Sequence, residues 1–442
     1  MLFSSIDFLF FFSIFLACIV FIKQYQRYLI IIFSLFFYSY WNIYFAPLII
    51  FYCLITIFLL KKNYSLFISI PIILLPLLYF KYSFFIINSI NSELFVNFSY
   101  QGELPLAISF VTFTAIAVII DRKGKPNNEY TFTNISEYIL YFPQLIAGPI
   151  LRLNQLFPQL NKKINFSVNN IKFGILLFCI GYIKKVYFAD NIALLIDPFF
   201  EDPGSYGSDD LIKAFLLFPI QIYFDFSGYI DMALGVSLIF GIILPQNFNK
   251  PYLCKSITDF WRRWHITLSN WFRDYIYIPM GGSREGKFRL YFNLIVTMSI
   301  AGAWHGASFN FILWGFLNGL ILSLEKVFKL NESNYSVFKN FLVCFLVFNL
   351  WIVFRISDFG NLYIFFENLY IDVFRILNLE SLLILFFVIF LIFLQKFENF
   401  DYLKLLSKKL NFSFIIPFFI IIILVGLSIS LGQSEKFIYF QF

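Results

Sequence analysis

Apolar runs of membrane-crossing length recur along almost the whole of this chain. They lie near residues 6–22, 28–43, 46–60, 65–81, 104–120, 170–188, 211–244, 290–303 with 307–324, 337–354, 380–396 and 413–431. A helix needs about 20 mostly apolar residues to cross a bilayer. The hydrocarbon offers no water to backbone polar groups, so only helices and closed barrels span it. The runs are continuous and lack the two-residue alternation of a barrel. The expected fold class is therefore an all-α polytopic membrane protein with about 11–12 transmembrane helices, plus re-entrant and interfacial pieces. Charged residues are only 13% of the 442, against about 25% in soluble domains, which excludes a soluble globule. The 66 Phe are spread evenly and read as compositional bias rather than a functional pattern.

The basic residues orient this stack. Lys23 and Arg27 follow the first run, Lys61 and Lys62 the third, and Arg122, Lys123 and Lys125 the fifth. These loops are expected to be cytoplasmic. The stretch 91–103 has no Lys or Arg, and 186–212 has six acids and no base, as outer loops should. Eight bases against three acids place 247–290 in the cytoplasm, and Lys404, Lys408 and Lys409 precede the last run. Both termini are then extracytoplasmic, and residues 6–22 read as an uncleaved first span rather than a leader. The net charge of +7 is a topology signal, and no nucleic-acid partner is expected. Cys18, Cys53, Cys179, Cys254 and Cys344 are scattered without disulfide or metal spacing, so no metal site is expected. No repeat or linker divides the chain, which reads as one domain over 1–442.

The chain has two histidines, His265 and His305. Histidine is the side chain suited to moving protons near neutral pH, and an ionisable group in an apolar segment is a functional candidate. His265 lies in 247–290, a block too polar to cross and too aromatic for a free loop. There Ile257, Phe260, Trp261, Trp264, Leu268, Trp271 and Phe272 recur at helical spacing, predicting an amphipathic interfacial helix with Arg262 and Arg263 off the stripe. A plain membrane-surface anchor would show the same pattern. The turn after it, with Gly281, Gly282, Arg284 and Lys287, suits phosphate oxygens, or is an ordinary cytoplasmic turn. His305 follows a 14-residue run of about 21 Å and sits among Ala303, Gly306 and Ala307. It is expected at the apex of a short hairpin, placed to act as a general base on a hydroxyl.

Two more segments break apolar sequence with polar residues. Pro143, Gln144, Gly148, Pro149 and Arg152 predict a broken, re-entrant element. Asp225 and Asp231 lie in the long 211–244 run, which Pro219 and the Ser227–Gly228 pair are expected to interrupt. These aspartates need a charge partner, for which Arg152, Arg262 and Arg263 are the candidates, or a wet cavity. A purely structural polar network fits them equally.

Together these segments resemble the membrane-bound O-acyltransferase superfamily, and within it the alginate O-acetyltransferase branch. The matching pieces are FPQLIAGPILR at 142–152, DFSGYIDMALG at 225–235, ITDFWRRWHITLSNWFRDYIYIPMGGSR at 257–284, AGAWHGASFNFILWG at 301–315 and WIVFR at 351–355. The opening MLFSSIDFLFFF and the closing FIYFQF at 437–442 also fit. The signature block is 142–355. The resemblance implies helices around a central polar funnel reached from both faces of a bacterial inner membrane. It implies transfer of an acetyl group from a cytoplasmic donor, acetyl-CoA, to an extracytoplasmic polysaccharide such as an alginate-like exopolysaccharide or peptidoglycan, with membrane lipid as surroundings. It also implies an extracytoplasmic SGNH-type, esterase-like partner, and no tightly bound cofactor.

By the same resemblance His305 matches the active-site histidine and His265 a second signature position. Arg262, Arg263, Trp264 and Arg284 are expected at the donor entrance, and Asp225, Gln144, Trp304 and Asn318 along the core. Many alginate-type members carry a histidine where this chain has Asn318, and an amide cannot serve as a base at pH 7, so that role does not carry over. The alternatives are a transporter or flippase of a lipid-linked substrate, and transfer of another acyl group such as D-alanine.

Overall fold

The structure, a computed structural model, describes residues 1–89, 100, 102–122, 131–330, 336–371 and 378–430. Lys123, Lys125, most of the 91–103 stretch and the closing FIYFQF segment lie outside the described residues. Within them every regular element is helical. Helices α1 to α10 are Ile6–Phe21, Gln26–Ser39, Ala46–Lys62, Leu66–Leu77, Ser83–Ser89, Ile108–Arg122, Phe132–Leu140, Phe142–Leu145, Leu153–Leu160 and Val168–Tyr182. Helices α11 to α16 are Asp190–Glu201, Ser208–Ile239, Ile257–Arg263, Ile266–Phe272, Lys287–His305 and Phe309–Val327. Helices α17 to α21 are Val337–Arg355, Phe359–Ile371, Leu379–Leu394, Phe400–Lys409 and Phe412–Ser430.

Six helical stretches are long and apolar enough to cross a membrane: 43–62, 66–89, 208–239, 337–355, 379–397 and 412–429. A bent pair, α1 with the stretch Lys23–Ser39, makes a seventh if taken as one broken span, its two pieces meeting at 104°. The other expected spans are helices too, but shorter or more polar than hydropathy alone requires. Helix α6 keeps 15 residues. The 170–188 run changes to a π-helical segment at Ile183–Ala189, where Lys184 and Lys185 fall. Helices α15 and α16 bury Asn293, Thr297, Asn310 and Asn318. Side chains paired within protein need not satisfy the lipid, which is why these helices depart from the simple span pattern.

The described residues form two compact units. One comprises Met1–Tyr182, Tyr229–Pro245 and Lys404–Ile421, the other Ile183–Gly228, Gln246–Leu403 and the chain from Ile422. Phenylalanine builds the interior of the first. The Phe15 ring meets Phe33, Phe142 and Phe240 at 5.3, 5.2 and 5.4 Å, each edge to face. Such pairs add about 0.5–1.5 kcal/mol beyond burial. Other phenylalanines face outward, with Phe67 94% exposed, as suits a lipid-facing surface. The expected break at 141–152 is present. Helix α7 stops at Leu140, α8 lasts four residues, and 135–151 are buried throughout.

The 211–244 run behaves differently from expectation. Helix α12 is one continuous helix of 32 residues with Pro219 inside it. Tyr252 donates its hydroxyl proton to the Pro219 carbonyl at 2.6 Å, which ties this turn of the helix to the packed residues around it and keeps the proline from ending it.

Helices α15 and α16 form a hairpin whose backbones nearly touch. A Cβ on Gly302 would lie 2.1 Å from the Phe311 carbonyl oxygen, and one on Gly315 would lie 2.2 Å from that of Met298. Small residues allow this approach where no hydrophobic drive separates helix from lipid. Gly315→Val should therefore destabilise the protein by about 1–3 kcal/mol. Thermal unfolding in detergent, monitored by tryptophan fluorescence, measures it; an unchanged midpoint would mean that the hairpin is not packed through its glycines.

Candidate functional site

The site grows from the start of α13. Ser256 Oγ accepts from the Asp259 amide at 3.0 Å. The buried Glu325 carboxylate, on α16, accepts from the Ile257 and Thr258 amides at 2.8 and 3.0 Å and from the Thr258 hydroxyl. These contacts satisfy free amide groups and place negative charge at the positive end of the helix. Glu325 carried no sequence signal beyond being a carboxylate near the end of an apolar run.

The amphipathic helix predicted across 257–274 is not continuous. It breaks at Trp264 and His265, and His265 has φ 41° in the left-handed region, which side chains other than glycine adopt at a cost of about 1–3 kcal/mol. Asn247 holds the break. Its carbonyl accepts from the Ile266 amide at 2.9 Å. Its side-chain Oδ1 faces the Thr267 amide at 3.0 Å, the Thr267 hydroxyl at 2.9 Å and His265 Nδ1 at 3.3 Å. An amide N–H can only donate, so the Asn247 atom is the oxygen and His265 Nδ1 carries the hydrogen. Burial pushes the His265 imidazole down to about 3, so the ring is neutral. Periodicity did not reveal Asn247, which lies in a polar island after α12.

Breaking the helix separates the residues that had been grouped together. Trp264 is 1% exposed, and its ring lies 4.8 Å from Trp351 and 5.1 Å from Phe248. It belongs to the aromatic interior, not to an entrance. Arg263 pairs with Asp259 at 2.9 Å. Arg284 is exposed on its turn, and neither arginine borders the cavity described next. Arg262 does.

That cavity has a volume of about 370 Å³. His305 lines it at the end of α15, one helical face above Ala301 and Thr297. Arg262, Arg273 and Lys326 line it as well, so imidazole and cationic side chains share one chamber. The His305 ring is fixed edge to face by Trp304, Trp314 and Phe354 at 4.9, 5.3 and 5.1 Å. Two lining groups, the Thr297 hydroxyl and the Trp261 indole N–H, have no hydrogen-bond partner among the described residues. Polar atoms buried without partners are costly, and a ligand with polar groups along its length would satisfy both.

The two histidines do not touch through this cavity. His265 lies against Phe226 at 4.7 Å and 6.5 Å from the Trp304 ring, so Trp304 stands beside both. Asn318 bonds back to the Trp314 carbonyl at 2.8 Å and does not line the chamber. Gln144 belongs to the first unit, where it donates to the Tyr138 carbonyl at 2.9 Å. Asp225 pairs with none of the expected arginines. Its partner is Lys185, 2.6 Å away, which is 2.6 Å from Asp190 as well. The signal missed was the Lys184–Lys185 pair within an apolar run. Among the described residues no His, Cys, Asp and Glu cluster could hold a metal.

The profile of the membrane-bound O-acyltransferase family matches residues 124–365. The probable alginate O-acetylase AlgI of Pseudomonas aeruginosa is 36% identical over 387 residues, covering 81% of this chain and 72% of that protein. The peptidoglycan O-acetyltransferase of Helicobacter pylori is 36% identical, covering 74% of this chain and 70% of its own length. The teichoic acid D-alanyltransferase of Bacillus subtilis is 30% identical, over 52% of this chain and 61% of that protein. The cavity with His305 lies within the matched region, and the apolar helices fit a multi-pass membrane enzyme: the chain belongs to the membrane-bound O-acyltransferase family and is an O-acyltransferase.

Proposed function

We propose that this enzyme carries an acetyl group from cytoplasmic acetyl-CoA to a hydroxyl of an extracytoplasmic polysaccharide, in a bacterial inner membrane with both chain termini on the outer face. The observation that carries the reading is the chamber in which His305 and three cationic side chains meet. Arg262, Arg273 and Lys326 suit the phosphates of the donor. Thr297 and Trp261 suit the amides of its pantetheine arm. His305 accepts the proton of the incoming hydroxyl as its oxygen bonds to the thioester carbonyl carbon. The C–S bond then breaks, and the departing thiolate takes the proton from the imidazolium. Relatives named as alginate and peptidoglycan O-acetyltransferases support acetyl as the group and a glycan as the acceptor. The basic loops support the sidedness, and an esterase-like extracytoplasmic partner would complete delivery.

A paired-donor assay tests the phosphate contacts. Arg262→Gln with Arg273→Gln should raise KM for acetyl-CoA about tenfold, the loss of roughly one charge-assisted contact. The same variant should leave KM for S-acetyl-N-acetylcysteamine, which has no phosphates, unchanged. Equal losses with both donors would refute this placement of the phosphates. D-alanylation, favoured by the teichoic acid relative, predicts that a D-alanyl carrier thioester outcompetes acetyl-CoA.

A further inference from the structure

The first unit contains a second cavity, of about 470 Å³, that the acyl-transfer reading does not use. It lies where α1 turns into α2 and where the chain leaves α9. Lys23, Arg27, Lys162 and Lys163 line it. Among the described residues no carboxylate pairs with Lys23, Lys162 or Lys163. Arg27 is held by Glu137 at 2.7 Å and by Asn134. Glu137 also lines the cavity, is fully buried, and has one carboxylate oxygen, Oε1, without a hydrogen-bond partner. The residues beside Lys23 are exposed and apolar or aromatic: Phe21, Ile22, Tyr25 and Tyr28. Lys23 therefore stands at the edge of a lipid-facing surface, in the manner of interfacial aromatic and basic anchors.

We propose that this cavity binds the headgroup of an anionic phospholipid that carries hydroxyl donors, as phosphatidylglycerol does. The three lysines meet the phosphodiester, a headgroup hydroxyl donates to Glu137 Oε1, and the acyl chains lie along the exposed apolar side chains. A free phosphate shares the anion chemistry but has no chains to bury. A zwitterionic choline headgroup has neither net charge nor a hydroxyl to donate.

The full-length protein, delipidated in a neutral detergent, is titrated with short-chain phosphatidylglycerol, short-chain phosphatidylcholine and inorganic phosphate, with binding read by native mass spectrometry. The wild type should prefer phosphatidylglycerol to phosphatidylcholine at least tenfold, and raising salt from 0.05 to 0.5 M should weaken that preference at least fivefold, given roughly fivefold per surface lysine. Lys23→Gln/Lys162→Gln/Lys163→Gln should abolish the preference. Lys61→Gln/Lys62→Gln, which removes a basic pair outside the cavity lining, should keep it. Equal binding of the two lipids, a preference that survives the triple substitution, or one lost equally in the Lys61/Lys62 variant overturns the site. Inorganic phosphate displacing phosphatidylglycerol at equal concentration overturns the lipid as its source. The wild-type lipid and salt measurements stand even if the triple variant folds poorly.

Discussion

His305→Gln should lower the rate of acyl transfer by about 10²–10⁴-fold, the usual contribution of a positioned general base, with the protein present at its normal level. Glutamine fills most of the space left by imidazole and keeps hydrogen-bonding atoms, so the aromatic surround of Trp304, Trp314 and Phe354 should stay packed. His305→Ala should show the same loss, with some added destabilisation from the cavity it opens. The donor contacts are made by other residues, so the effect should fall on kcat and leave donor KM within about threefold. Surface-glycan acetyl content in cells and thiol release in vitro provide two readouts. Should either variant keep more than a tenth of wild-type turnover, His305 would be part of the chamber wall and not the base.

Lys185→Met should be the most destabilising single change outside the chamber. Lys185 is 3% exposed and touches both Asp225 and Asp190 at 2.6 Å. Methionine keeps much of the stem and removes the charge, so two carboxylates face each other without a counter-ion. Removing one partner from a buried ion pair costs about 3–5 kcal/mol, mostly the penalty of the stranded charge. Adding Asp225→Asn removes one of those charges and should recover part of the loss. Reversible unfolding in mixed micelles measures both variants. A cost below about 1 kcal/mol for Lys185→Met would mean that water or another cation neutralises the pair, and that the cluster contributes little to the fold.

What was legible in the sequence followed from local physics. Hydropathy reports whether a segment prefers lipid, so the helical membrane class could be read directly from the apolar runs. Small residues flanking His305 between two apolar runs marked a hairpin turn, and α15 and α16 form that hairpin. The paired prolines around Gln144 marked a broken segment, because proline removes a donor and crowds the preceding turn. Periodicity failed at Trp264–His265. An apolar stripe at helical spacing shows which side chains will be buried, not whether one helix carries them.

The sequence by itself therefore determined the solvent of this protein, its helical class, and the two stretches that hold its histidines. The tertiary structure decided which of those residues share a chamber. Arg262 and His305 line one cavity, with Arg273, Lys326 and Thr297 beside them, while Trp264, Arg263 and Arg284 do not line it. It also chose Lys185 as the partner of Asp225 and Asn247 as the holder of His265, contacts made across 40 and 18 positions of chain. Hydropathy and periodicity describe how each segment meets its surroundings. Pairing between distant polar groups depends on which helices pack together, and that is settled only when the burial of the whole chain is satisfied at once.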